Sequence, residues 1–180
     1  MNSKEEISRG LTTMWEEVSQ FAASLHPDVA HFPVAPGKWT ISREFDHIIL
    51  SAEPIAKMLH AGPEQIGQLP KVEKEHQSYQ TIKDTYYHVL GSQTVNAPAR
   101  FRTDDAEKSD WDFQQQNWAK IGLGIQAGLD KWTEQDLDSA QVQHPVLKHL
   151  WVREMLFFTH IHTLHHVTSM KGKARIVSAL

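Results

Sequence analysis

The chain reads as an all-α protein, a four-helix bundle with an extra helical segment in its long middle connection. Three observations predict it. Apolar residues recur at helical spacing in five separate stretches, no stretch alternates as a half-buried strand would, and there is no internal repeat. At 180 residues the chain is long enough for one domain with a substantial core.

The first helix spans about residues 4–25. Ile7, Leu11, Met14, Val18, Ala22 and Leu25 mark its inner face, and Ser3 with Glu6 reads as a capping box. Pro27 ends it, and the Pro- and Gly-containing run to Trp39 reads as an irregular connection. A second helix covers about 41–61, capped by Thr40 or Ser42. Pro54 should kink it, and Gly62-Pro63 should stop it. A third runs over 71–90, with Val72, Tyr79, Ile82, Tyr86 and Leu90 on one side. The stretch 91–105 reads as a long loop of the kind that borders a cleft. The fourth helical segment begins near 106 or 110 and ends near 132, with Ser109 and Asp112 as a capping pair. Gly122, Gly124 and Gly128 within it read as points of close helix packing, since no strand precedes them to make a phosphate loop. Residues 133–146 turn the chain into a last helix over 147–170, whose stripe holds Leu147, Trp151, Phe158 and Ile161.

Composition narrows the function. Net charge is −4 with no basic block, so nucleic acid is not an expected partner. There is no cysteine, so disulfides, thiolate metal sites and an internal sulfur nucleophile are excluded. No apolar run reaches the roughly 18 residues of a membrane span, and the polar start MNSKEEISRG lacks the apolar core of a secretory signal. The expectation is a soluble cytoplasmic protein. The twelve histidines are the conspicuous residues, because imidazole binds metals and titrates near neutrality.

Four of them crowd the end of the last helix. His162 and His166 lie one turn apart on one flank, a spacing that can chelate one ion. A helix that merely tolerates packed or surface histidines would show the same spacing. His165 falls near the centre of the stripe, and His160 points the other way. On the second helix His47 sits at the edge of the apolar face, beside Glu44, Ser51 and Met58. That position suits a ligand at a groove wall better than a core residue.

Two motifs, Trp39-x-x-x-x-Glu44-x-x-His47 followed by Ser51-Ala52-Glu53, and Glu154-x-Leu156-x-Phe158-x-x-x-His162-x-x-His165-His166, resemble those of the DinB/YfiT-like helical-bundle metalloenzymes. The order of helices, the Ala97-Pro98 step and the His144-Pro145 turn extend the likeness over nearly the whole chain. The resemblance implies a divalent metal ion held by His47, His162 and His166. It also implies a thiol-dependent transferase that adds a low-molecular-weight, bacillithiol-like thiol to an electrophile. Metal-dependent hydrolysis, thiol-dependent isomerisation and non-catalytic metal or ligand binding are the alternatives. All-nitrogen ligands suit zinc, nickel, iron or copper, with zinc and nickel placed first.

Glu44 is expected either to orient His47 or simply to face the helix dipole. His165 is expected behind the ligands or as a proton shuttle. Many relatives carry glutamine where this chain has Ser169, which sets the surroundings of the triad apart. The family and the tryptophan-rich helices also admit a homodimer.

Overall fold

The computed structural model describes residues 1–92, 101 and 110–179. Its helices are α1 (Lys4–Ala23), α2 (Pro27–His31), α3 (Ile41–Ile66), α4 (Tyr79–Ser92), α5 (Trp111–Leu129), α6 (Glu134–Leu137) and α7 (Val152–Val177), with two short strands, β1 (Gln141–His144) and β2 (Lys148–Trp151), before α7. α1 packs on α5 and α7, and α3 packs on the same two, so these four close into a bundle in the order α1, α5, α3, α7. α4 lies outside, against α7. The fold is therefore the all-α bundle expected, with α4 as the added segment. Among the described residues no helix is long and apolar enough to cross a membrane.

Aromatic packing sets the seams. Trp15 of α1 stacks on Trp118 of α5 at 4.1 Å between ring centres, and its indole N–H donates to the Trp118 carbonyl at 2.9 Å. A Cβ on Gly122 would lie 2.2 Å from the Trp15 ring, and one on Gly128 would lie 2.7 Å from Leu59 Cβ, so both glycines are there for close approach. Gly124 is different, since its added Cβ would meet Ala56 at an ordinary 3.6 Å.

Several boundaries differ from the sequence reading. Ser3 caps α1 through Glu6 N–H, but Glu6 reaches back to Asn2 rather than to Ser3. The connection after α1 contains the short α2, begun at Pro27. In α3 the break is at Gly62 (φ +83°), not at Pro54, and the helix resumes at Pro63 for a last turn. Residues 71–78 are not helical. The Gln141 side chain holds Val72 by both its N–H and its carbonyl at 2.9 Å, and buried Glu154 accepts from Gln77 N–H at 2.7 Å and from Lys74 Nζ. These long-range bonds satisfy the backbone in an extended path. α5 is capped by Asp110, which accepts from the N–H groups of Asp112 and Phe113. Ser109 lies outside the described residues, as do 93–100 and 102–105 of the expected loop, with the Ala97-Pro98 step.

The largest correction is at residues 141–151. Gln141, Val142, Gln143 and His144 pair antiparallel with Trp151, Leu150, His149 and Lys148. Leu147 and Trp151 therefore belong to a hairpin, not to the last helix. His144 Nδ1 accepts from the N–H groups of Val146 and Leu147, and Lys148 takes φ +62°. α7 then starts at Val152, with Glu154 accepting from Trp151 N–H at 3.0 Å, and continues to Val177.

Candidate metal centre

α3 and α7 run antiparallel where they meet, and their apolar faces bring three imidazoles together. Ile48, Ala52 and Ile55 bury one side of α3, and Met155, Phe158 and Ile161 one side of α7. His47 sits at the edge of the first stripe; His162 and His166 sit one turn apart on the second. One ring nitrogen from each lies within 4.8 Å of the other two, close enough to hold a metal ion. The Nε2 atoms of His47 and His162 are 3.2 Å apart. Two nitrogens bound tetrahedrally to zinc at 2.0–2.1 Å would be about 3.3 Å apart, so this spacing suits a shared ion. His47 and His162 are buried and His166 is half-buried.

Two of the three imidazoles have an acceptor for their proton on the side away from the cluster. His47 Nδ1 lies 2.8 Å from the carbonyl of Phe101, which can only accept, so Nδ1 carries the proton and Nε2 keeps its lone pair. His166 Nδ1 lies 2.8 Å from Glu44 Oε1 and donates to it, leaving its own Nε2 as the free donor atom. Glu44 Oε2 accepts from Ser169 Oγ at 3.1 Å and from Lys173 Nζ at 2.5 Å. Burial alone would raise the Glu44 carboxyl, but the bonds from His166 and Lys173 outweigh it and hold the group below its ordinary range, hence ionised.

Burial, followed by the nearby His166, pushes His47 down to about 4, and the same two causes push His162 well below the usual imidazole value. Both are neutral near pH 7, the state a metal requires.

Glu44 thus orients His166, whereas the sequence reading offered it either His47 or the helix dipole. The partner of His47 is the Phe101 carbonyl. His165 is not part of the three-nitrogen cluster. Its half-buried ring stands edge-on to Tyr86, Tyr87 and His166 at 5.8, 5.9 and 5.0 Å between centres. Burial, then His166, lowers its pKa. His160 faces away and bonds to Tyr79 Oη at 2.9 Å.

The three histidines open onto a cavity of about 720 Å³ between α3, α4, α7 and the hairpin. Trp39 lies over His47 at 5.3 Å between ring centres, and Phe158 stacks on His162 at 5.2 Å. Two further wall residues, Tyr86 and His144, were read from the sequence only as part of a helix stripe and of a turn. Tyr86 faces His162 and His165. Burial pushes its phenol up, so it presents a neutral hydroxyl. His144 packs on Phe158 at 4.2 Å between ring centres.

Comparison of the chain with protein-family models, curated proteins and solved structures finds no match. The case for function therefore rests on the geometry above and on the motifs.

Proposed function

We propose that this chain is a metal-dependent enzyme of the DinB/YfiT-like type, with a divalent ion on His47, His162 and His166, and that it transfers a low-molecular-weight thiol to a small electrophile. The observation that carries this reading is the convergence of three nitrogens, two of whose partner nitrogens are already committed to fixed acceptors. Three neutral protein ligands leave coordination positions open, as catalytic rather than structural sites do. When bound there, a dication lowers the pKa of a thiol or water and polarises an oxygen. Zinc and nickel are the first candidates for an all-nitrogen set.

The protein's own groups divide the remaining work. Glu44, steadied by Ser169 and Lys173, aims the His166 ring. Trp39 and Phe158 fix the faces of His47 and His162. His165, neutral near pH 7 and facing the cavity, is placed to accept the proton that a thiol gives up. With a chloronitrobenzene, that proton leaves sulfur, the sulfur pair forms the new C–S bond, and chloride departs with the C–Cl pair. The chain has no cysteine, so the sulfur comes from a cosubstrate.

The test is conjugation of 1-chloro-2,4-dinitrobenzene by zinc- or nickel-loaded protein, with and without a thiol. Thiol-dependent turnover that His165→Ala lowers by about 10²–10⁴-fold, the span typical of general acid–base catalysis, is expected. Turnover of an ester that ignores added thiol would instead favour hydrolysis. No turnover with either would leave a metal- or ligand-binding bundle.

A further inference from the structure

The cavity has two unlike parts. At the triad end the polar groups His165, Thr159 and Thr163 join the three histidines, among the rings of Trp39, Tyr86 and Phe158. Along the α3–α7 groove it becomes mostly apolar, lined by Ile55, Met58, Ile66, Val142 and Met155, with Gln143 and His144 of the hairpin as uncharged polar neighbours. The helices set its reach. Ile55 lies eight residues beyond His47 on α3, and Met155 lies seven residues before His162 on antiparallel α7. At 1.5 Å per residue both are about 10–12 Å from the triad in the same direction.

Charge is missing from this lining. Among the described residues no lysine, arginine, aspartate or glutamate borders the cavity. Glu44 and Lys173 are paired with each other behind His166 and are not part of the wall. A ligand carrying a fixed charge along its body would lose its hydration there and meet no countercharge among the described residues. A neutral apolar body would gain with each methylene buried. The volume lies within the range of small-molecule sites.

We propose that the cavity seats an uncharged, elongated, apolar small molecule with a single polar group at the end that faces the three histidines. This deepens the metal-site reading and rests on it only for the direction in which the molecule lies. In the thiol-transfer scheme the seat belongs to the electrophile. A charged sugar or peptide thiol must approach the triad from outside it.

The experiment uses the whole chain, metal-free and zinc-loaded, with the uncharged fluorophore 6-propionyl-2-dimethylaminonaphthalene as the probe. Straight-chain alcohols from butanol to decanol displace it, beside the matching ω-hydroxy carboxylates. The expected result is displacement that tightens about fourfold per added methylene until the groove is filled, with little gain for the carboxylates. Met58→Lys, at a half-buried wall position, should weaken fluorophore binding at least tenfold.

A flat chain-length series, equal affinity for the charged analogues, or no binding of fluorophore and alcohols would overturn the proposal. Zinc stoichiometry is measured on the same samples. Chain-length dependence without zinc binding removes the triad reading and keeps the apolar seat. Zinc binding with a flat series does the reverse.

Discussion

Glu44 shows how much of the site depends on one carboxylate. Three donors at successive turns of α7, His166, Ser169 and Lys173, meet on it from across the α3–α7 seam. The His166 ring is held by this bond rather than by packing alone. Glu44→Gln keeps the shape but removes the charge, and should weaken zinc binding about 10–100-fold, read by competition with a chelating dye. Unchanged affinity would mean that Glu44 serves only the packing of the two helices. The His162–His166 pair was legible in the sequence because spacing on a helix is local information, whereas His47 joined it only through the resemblance of the two motifs. The partners of Glu44 were less so. The 166, 169, 173 spacing puts three donors on one face, but only the crossing of α3 and α7 decides that Glu44 meets them. The Phe101 carbonyl left no signal at all, since any residue supplies one.

At the scale of elements, the helical periodicity located the bundle and misplaced its connections. Leu147 and Trp151 fit an i, i+4 stripe by coincidence, and strands of four residues are too short to show alternation over it. Val72 likewise matched the stripe of the third helix, yet Gln141 and Glu154 hold the segment before Tyr79 extended. Of the three α5 glycines read as packing points, Gly122 and Gly128 are points of close approach and Gly124 is not. Gly122→Ala drives a methyl into Trp15 and should cost about 1–3 kcal/mol from overpacking, partly offset by helix propensity. Gly124→Ala meets only ordinary contact and should be neutral or stabilising by up to about 1 kcal/mol. Urea denaturation of the two variants checks this, and equal effects would contradict the Trp15 contact.

At the scale of the molecule, the core is built around groups that must stay uncharged. His47 and His160 are both held at about 4, each chiefly by burial. Unfolded histidine titrates near 6.5, so between these values the unfolded chain binds more protons than the folded one. Stability of the metal-free protein should therefore be fully present above about pH 6.5 and fall as pH drops towards 4, by on the order of a few kcal/mol in all. Denaturant midpoints in chelator at pH 7 and pH 5 read the slope, and a midpoint that rises on acidification would contradict the burial of these rings.

The metal content of the protein tests the three-histidine centre most directly. Native chain, purified without chelator and dialysed against zinc or nickel, should hold one ion per chain. His47→Ala, His162→Ala and His166→Ala should each lose most of it under the same dialysis, while His160→Ala, which removes a ring bonded to Tyr79 and directed away from the cluster, should keep it. Negligible metal in the native chain, or equal metal in all five proteins, would contradict the three-histidine centre.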